Sequence, residues 1–163
     1  MDRVQWIAVP APIGTLGVAV DATGLCRVHF SGPGGAVADR PAPLAVAAAG
    51  QLARYFAGEL TEFDLPLSIT TGSPFERAVW AAIAAIPYGV MRTYGQIAAD
   101  VGQPDAARAV GVACNRNPVP VVVGCHRVVG AGGKLVGFGG GLPRKRFLLE
   151  LEARVDLERM FQG

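Results

Sequence analysis

With 163 residues, 51% of them hydrophobic, the chain can bury a packed core as one domain or two small ones, which excludes a disordered protein. Its apolar stretches are shorter than the roughly 20 residues of a membrane span, and three irregularly spaced cysteines exclude a disulfide framework, so we expect a cytoplasmic protein with no membrane partner. The net charge of +2 hides an asymmetry, because residues 1–72 carry four Arg against six acidic residues and residues 73–146 carry nine Lys or Arg against three. The second part is the one that could meet a polyanion, although a solvated basic face explains the same excess.

The first 72 residues predict a small sheet with one helix. Three short strands fit VQWIAVP, GTLGVAVDA and LCRVHF, because Gly and Pro turns separate them. A helix fits LAVAAAGQLARYFAGEL, in which Leu52, Tyr55 and Phe56 lie on one stripe. LPLSI could form one further strand. We therefore expect an N-terminal α/β supporting domain over residues 1–72.

The chain from residue 73 onward begins with a strong helix-start signal. Ser73, Pro74 and Glu76 combine an N-cap serine, a proline at the first helical position and a glutamate at the third, which predicts a helix through about Ile86. TYGQIAADVG and PDAARAVGVACN predict two short helices joined by a tight turn, which is typical of a helix-turn-helix motif. VPVVVGCHRVV and KLVGF predict a strand pair, and GLPRKRFLLELEARV predicts a closing amphipathic helix.

The second helix of this pair has an unusual surface. DAARAVG offers small side chains around a single arginine, Arg108, and the small residues Ala106, Ala107, Ala109 and Gly111 would let a nucleic-acid backbone approach closely. An ordinary alanine-rich helix packed on a neighbour explains the same pattern. The glycine-rich GAGGKLVGFGGG lacks the residues of a phosphate-binding loop, and no cofactor is expected.

The stretch VVVGCHRVVG places a cysteine beside a histidine where a buried strand would end. A free thiol is mostly protonated at neutral pH unless an adjacent imidazole or cation favours the thiolate. Neighbours in a strand point to opposite faces, so the chain must turn near Gly124 for His126 to act on Cys125. Either Glu150 or Glu152 could orient the histidine. A buried, inert cysteine explains the same residues.

Three ordered motifs carry a resemblance to a known family: SPFERAVWAAIAAIPYGVMRTYGQIAADVG, RAVGVACNRNPVPVVV and CHRVVGAGGKLVGFGGGLPRKRFLLELE. They resemble the methylated-DNA-protein-cysteine methyltransferases, also called O6-alkylguanine-DNA alkyltransferases. The match covers residues 73–152 and is looser before them. It implies an α/β (α+β) fold, in which a sheet-plus-helix domain precedes a helical domain over 73–163. That second domain carries a winged helix-turn-helix-like motif and is expected to bind DNA and accept the alkyl group.

The resemblance also implies DNA repair by direct reversal. An alkyl group would pass irreversibly from O6-alkylguanine in double-stranded DNA to the protein's own cysteine after the nucleotide is flipped out of the helix. O4-alkylthymine is a further candidate substrate. Because a thioether is stable, each molecule should act once, and we expect a monomer in the absence of DNA.

Site residues follow from the same resemblance. Cys125 becomes the alkyl acceptor, His126 the base acting through a bound water, and Glu152 the carboxylate that orients it. Tyr94 would assist the departing guanine, and Asn117 would brace the active-site turn. Arg108 would enter the base stack through the minor groove and fill the gap left by the flipped nucleotide. The remaining substrate or DNA contacts would come from Ala106, Ala107, Ala109, Gly111, Val128, Phe138 and Gly139.

Three residues depart from the family pattern. Gly124 stands where the family has proline, Phe138 replaces a tyrosine and Gly139 replaces the serine of some members. We expect Gly124 to slow the reaction or broaden its substrates, so that restoring proline should raise the transfer rate. Cys26 and His29 are too few for the zinc site that some members carry, and no metal is expected.

Two rival functions fit parts of the same sequence. A protein of this fold could bind the alkylguanine lesion and signal to another repair pathway without repairing it, although relatives of that kind lack the cysteine. A cysteine hydrolase could use Cys125, His126 and Glu152, but it would leave Arg108 and the alanine-rich helix unexplained.

Overall fold

The structure, a computed structural model, describes residues 3–162. The chain forms two compact units whose boundary lies between Thr70 and Thr71. The first unit is a sheet with one long helix, and the second is mainly helical. The expected α/β fold class is therefore confirmed. Among the described residues, no helix is both long enough and apolar enough to cross a membrane.

The first unit is built on a three-stranded antiparallel sheet in the order β1-β2-β3. Its elements are β1 (Gln5–Val9), β2 (Leu16–Val20), β3 (Leu25–His29) and α1 (Pro43–Phe56). All five residues of the central strand β2 are buried. The helix covers the sheet with a stripe that includes Leu52 and Tyr55, while Phe56 is only half-buried. The strand expected at LPLSI is reduced to one bridge between Leu67 and Leu25.

Within residues 71–162, the second unit contains four α-helices and two very short strands. They are α2 (Pro74–Ala84), β4 (Arg92–Thr93), α3 (Tyr94–Asp100), α4 (Ala107–Asn115), β5 (Val128–Val129) and α5 (Leu142–Gln162). Ser73 and Glu76 form the expected capping box at the start of α2. Thr93 and Gln96 form a second one at the start of α3, which fixes Tyr94 as the first residue of that helix.

The strand pair expected from VPVVVGCHRVV and KLVGF does not form, and that prediction is wrong. Only Val128 and Val129 become a strand, and β5 pairs in parallel with β4 instead. Pro118 and Pro120 cannot donate backbone hydrogen bonds to a ladder, and Val121 has a positive φ of 73°. The segment 130–141 contains several glycines at positive φ, so it forms a loop, called the glycine loop below.

The last helix, α5, has one buried face. Its buried residues form one stripe along the helix and are Lys145, Leu148, Leu151, Glu152 and Val155. Apolar residues dominate this stripe, so packing orients the helix. Two charged side chains on the same stripe, Lys145 and Glu152, are therefore carried into the interior.

Candidate active site

The chain turns sharply at the cysteine, which is the condition for His126 to act on Cys125. Gly124 has φ −76° and ψ 63°, and the backbone N–H of Cys125 donates to the carbonyl of Val123 at 2.8 Å. This geometry is an inverse γ-turn. Cys125–Arg127 then form one turn of 3-10 helix. Because of these two turns, Cys125 and His126 are both buried in one region instead of alternating across a strand.

Asn117 brackets this turn from the end of α4. Its side-chain amide donates to the carbonyl of Val123 at 2.8 Å, and its side-chain oxygen accepts from the N–H of Val119 at 3.0 Å. Between those two contacts lies Val121, a β-branched residue in the left-handed region. The asparagine thus spans an unfavourable stretch of backbone that leads directly to the cysteine.

His126 and Glu152 form a buried pair. Nε2 of the imidazole lies 2.7 Å from Oε2 of the carboxylate, and neither side chain is more than 1% exposed. Of the two glutamates left open by the sequence, the structure brings Glu152 to the histidine and leaves Glu150 exposed. Nδ1 of His126 is buried and has no hydrogen-bond partner among the described residues.

Burial and hydrogen bonding set the charge of this pair. Burial lowers the pKa of His126, against the opposing effect of the hydrogen bond that the imidazole donates to Glu152, so the imidazole is neutral at pH 7. Burial alone would raise the pKa of Glu152, but hydrogen bonds from His126 and Arg127 outweigh it and hold that pKa well below its ordinary range. The pair is therefore a neutral imidazole bonded to a carboxylate.

The thiol of Cys125 is protonated in the resting protein. Burial raises its pKa to about 11, although the hydrogen bond with Asn117 and the positive charge of Lys145 act in the opposite direction. The side chain is only 3% exposed. A proton must therefore leave the sulfur during any reaction in which it acts as a nucleophile.

Lys145 is a site residue that the sequence interpretation missed. Its ammonium group is fully buried and donates to the carbonyl of Val128 at 2.6 Å and to the hydroxyl oxygen of Tyr94 at 3.2 Å. The signal was present, because Lys145 lies three residues before Leu148 and seven before Glu152 on the apolar stripe of α5. A lysine in such a position must find acceptors.

Tyr94 lies between this lysine and the glycine loop. Its hydroxyl donates to the carbonyl of Val136 at 2.9 Å, and burial raises its pKa to about 12. The ring also faces α4, because a Cβ added to Gly111 would lie 3.9 Å from its Cε1 atom. The first residue of α3 therefore connects α4, the glycine loop and α5.

The contact residues expected on α4 differ in their exposure to solvent. Arg108 and Ala109 are exposed, whereas Ala107 and Gly111 are half-buried. Ala106 precedes the helix as its N-cap residue and has no side-chain capping bond. Over residues 106–111, the arginine is thus the one exposed side chain longer than that of alanine.

The glycine loop carries the remaining expected residues. The centroid of the Phe138 ring lies 5.9 Å from Nζ of Lys145. A Cβ added to Gly139 would meet only the carbonyl oxygen of Asn115, at 3.6 Å, so a serine would fit there without strain. No group of three or more potential metal ligands occurs within residues 3–162. Cys26 instead donates to the carbonyl of Ala19.

Two family models match the chain. The DNA binding domain of 6-O-methylguanine DNA methyltransferase matches residues 74–154, and the ribonuclease-like domain of the same family matches residues 5–69. The chain belongs to the 6-O-methylguanine DNA methyltransferase family. This confirms the resemblance inferred from the motifs in residues 73–152.

Individual members of the family are similar over about two thirds of the chain. The methylated-DNA–protein-cysteine methyltransferase of Mycolicibacterium paratuberculosis is 61% identical over 104 residues, which are 64% of this chain and 62% of the relative. The protein of that name from Mycobacterium tuberculosis is 58% identical over 105 residues, which are 64% and 63% of the two chains. The matched region thus spans less than two thirds of these relatives.

Solved structures of the family match over nearly the whole length. The crystal structure of Mycobacterium tuberculosis O6-methylguanine methyltransferase has a TM-score of 0.82 at 44% identity and covers 93% of this chain and 94% of its own. A crystal structure of Mycobacterium tuberculosis OGT in complex with DNA has a TM-score of 0.80 at 42% identity, with coverage of 93% and 94%.

Proposed function

We propose that this protein repairs O6-alkylguanine in double-stranded DNA by transferring the alkyl group to Cys125, once per molecule. The observation that carries the proposal is the buried thiol of Cys125, set at a turn beside the His126–Glu152 pair. The family and the names of its relatives point to the same chemistry. DNA is the proposed partner, consistent with the related structure that contains it.

The proposed reaction moves one proton and one alkyl group. The thiol proton of Cys125 passes through a water to Nδ1 of His126, the ring nitrogen that has no hydrogen-bond partner within residues 3–162. The sulfur lone pair attacks the alkyl carbon, and the bond between that carbon and O6 breaks. Its electron pair goes to guanine, which takes up one proton, and the imidazolium of His126 releases the proton that it received from the thiol. The products are a thioether at Cys125 and unmodified guanine.

The His126–Glu152 pair lowers the free-energy cost of that proton transfer. The imidazole becomes positively charged as it accepts the proton, and the carboxylate of Glu152, 2.7 Å from Nε2, stabilises that charge. The leaving guanine develops negative charge, which the hydroxyl of Tyr94 and the backbone N–H of Gly139 would share. The backbone carbonyls of Cys125 and Val128 would accept from the guanine amino group.

The substrate reaches the thiol only if its base leaves the duplex. Flipping a nucleotide costs a few kcal/mol, less where the lesion weakens base pairing. Arg108, exposed on α4 among small side chains, would occupy the space that the base vacates. Within this proposal, residues 73–163 bind DNA and accept the alkyl group, and residues 1–72 support that unit.

The test is intact-protein and peptide mass spectrometry after mixing the protein with a duplex that carries one O6-methylguanine. We expect a single methyl group on Cys125, saturating at one per protein. Cys125→Ser should acquire none, whereas Cys114→Ser, which removes another buried thiol, should still be methylated. Tight lesion binding without methylation would refute repair and favour a non-repairing lesion-binding protein. Release of product beyond one equivalent would favour a hydrolase.

A further inference from the structure

The proposed reaction assigns no role to the buried charge of Arg127. Arg127 directly follows the cysteine and histidine, and its side chain is only 10% exposed. Its Nε donates to Oε1 of Glu152 at 2.8 Å, and its Nη2 donates to Oε2 at 3.0 Å. Its Nη1 donates to the carbonyl of Ile86, beyond the end of α2, at 2.8 Å. The guanidinium therefore connects the active-site turn, α5 and the segment after α2.

The two hydrogen bonds from Arg127 leave Glu152 few acceptor positions for His126. Besides Arg127, the carboxylate accepts from the backbone N–H of Gly89 at 3.1 Å and lies 2.7 Å from Nε2 of His126. An ionised carboxylate offers about four acceptor positions, and these contacts use all of them. With no proton of its own, Glu152 requires that Nε2 of the imidazole carry the hydrogen. The unprotonated nitrogen is then Nδ1, the proposed base.

From this geometry we infer that Arg127 is a positioning residue for alkyl transfer, which fixes the tautomer of His126 by holding Glu152 through two parallel hydrogen bonds. The inference rests on the proposed function, in which Nδ1 of His126 receives the thiol proton. Arg127 touches neither the thiol nor the alkyl group in this scheme. Bidentate geometry requires a guanidinium, because a lysine ammonium offers a single point of contact.

The position of the guanidinium is coupled to the turn at Gly124. A Cβ added to Gly124 would lie 3.2 Å from Cζ, Nε and Nη1 of Arg127. The backbone N–H of Arg127 also donates to the carbonyl of Gly124 at 3.0 Å. The arginine therefore packs directly against the backbone that precedes the nucleophile.

The charges around the imidazole give the expected direction of a pH effect. Glu152 on α5 raises the pKa of His126, whereas Arg127 on the turn and Lys145 on α5 lower it. Loss of the charge at position 127 should therefore raise the pKa of His126. The base would then become protonated at a higher pH, and the acid limb of the rate profile should move upward in pH.

The decisive measurement is nitrogen NMR of the histidine ring. The chain contains two histidines, so a His29→Gln background leaves only the signals of His126. We expect the Nε2–H tautomer in that background, and a mixture of tautomers in Arg127→Gln. If Arg127→Gln fails to fold, Arg127→Lys replaces it in the test. The lysine keeps the charge but not the two parallel hydrogen bonds, so we expect a smaller share of the second tautomer than in Arg127→Gln. The matched control is Arg92→Gln, which breaks an exposed pair with Asp100 and should keep the Nε2–H tautomer.

Kinetics on the same variants completes the test. Arg127→Gln should slow methyl transfer from the duplex on the order of 10-fold to 100-fold, with unchanged affinity for undamaged DNA. An unchanged tautomer and an unshifted acid limb in a folded variant would overturn the inference, even if the rate falls. Failure of the unsubstituted protein to methylate Cys125 would instead refute the proposed function, while the tautomer measurement would still decide the role of Arg127.

Discussion

The ammonium group of Lys145 lies 3.2 Å from the hydroxyl oxygen of Tyr94, inside a helix stripe that is otherwise mostly apolar. The same group donates to the carbonyls of Val136 and Gly137, each at 3.3 Å, and to that of Val128 at 2.6 Å. A single buried cation therefore holds the glycine loop, β5 and the first residue of α3 together. Its charge also opposes the rise in the pKa of Cys125.

Replacement of Lys145 by methionine should slow alkyl transfer. Methionine fills a similar space but removes a donor from several carbonyls and a positive charge from the neighbourhood of the thiol. Each unit by which the pKa of Cys125 rises reduces its thiolate fraction about tenfold at neutral pH. We expect a loss on the order of tenfold in the single-turnover rate with an O6-methylguanine duplex.

The chain offers a matched control for this substitution. Lys134 is its other lysine and is exposed on the glycine loop. Lys134→Met should leave the thermal stability and the single-turnover rate nearly unchanged. Equal rates for the two variants would show that the buried ammonium group has no influence on the reaction.

The raised pKa of Cys125 should be visible as a loss of stability at alkaline pH. In the unfolded chain the thiol ionises near pH 8.5, whereas in the folded protein its pKa is about 11. The unfolded state therefore releases this proton first as the pH rises, and the stabilisation present below pH 8.5 is lost between there and about 11. The loss should amount to about 1–3 kcal/mol.

Urea unfolding of the unsubstituted protein and Cys125→Ser at pH 8 and pH 10.5 measures this contribution. Cys114 and Tyr94 also have raised pKa values and are present in both proteins, so the part of each shift that burial causes cancels in the comparison. The smaller part that the charge of Cys125 causes is lost in the serine variant and belongs to the Cys125 contribution. The free energy of unfolding should fall further in the unsubstituted protein than in the serine variant. Parallel losses would mean that the Cys125 thiol ionises normally in the folded state.

Local signals in the sequence were sufficient where a few neighbouring residues decide the structure. The capping box of Ser73 and Glu76 predicted the start of α2, because both of its hydrogen bonds lie within four residues. The stripe of α5 could also have chosen Glu152 over Glu150, because Glu152 lies four residues after Leu148 on the buried face. Helical periodicity is enough for both conclusions.

The sequence-based predictions failed where contacts between residues distant in sequence decide the structure. VPVVV has the composition of a buried strand, but its prolines and the contacts of Asn117 hold it in turns. Lys145 was overlooked because a lysine is normally assigned to the exposed face of an amphipathic helix. Its acceptors lie on β5, α3 and the glycine loop, and spacing along α5 cannot reveal them.

Restoring proline at Gly124 should raise the transfer rate. The φ of −76° is within the range of proline, and the inverse γ-turn is compatible with its ring. Proline would restrict the unfolded chain and stabilise the turn by about 0.4–1 kcal/mol. The opposing effect is the contact of its Cβ with Arg127 at 3.2 Å, which requires a small shift of the guanidinium.

Gly124→Ala separates these two effects, because alanine adds the same Cβ without fixing φ. We expect Gly124→Pro to exceed both the unsubstituted protein and Gly124→Ala in its second-order rate with the O6-methylguanine duplex. An unchanged rate in the proline variant would remove Gly124 as a cause of slow transfer. A lower rate in both variants would show that the crowding of Arg127 outweighs the rigidity gained.

Arg108→Ala should impair transfer from duplex DNA much more than transfer from single-stranded DNA. The arginine is proposed to offset the cost of flipping, and that cost exists only where the base is paired and stacked on both sides. A loss of about 1.4 kcal/mol would slow the duplex reaction about tenfold. The measurement is the ratio of second-order rates for one O6-methylguanine oligonucleotide, alone and annealed.

The matched control is Arg116→Ala, which removes the same charge just after α4, where Arg116 pairs with Glu76 at 3.2 Å. Any phosphate contact that Arg116 makes would leave that ratio unchanged, because such a contact does not depend on base stacking. If Arg108→Ala changes the ratio no more than this control does, its role is electrostatic and not the replacement of a flipped base.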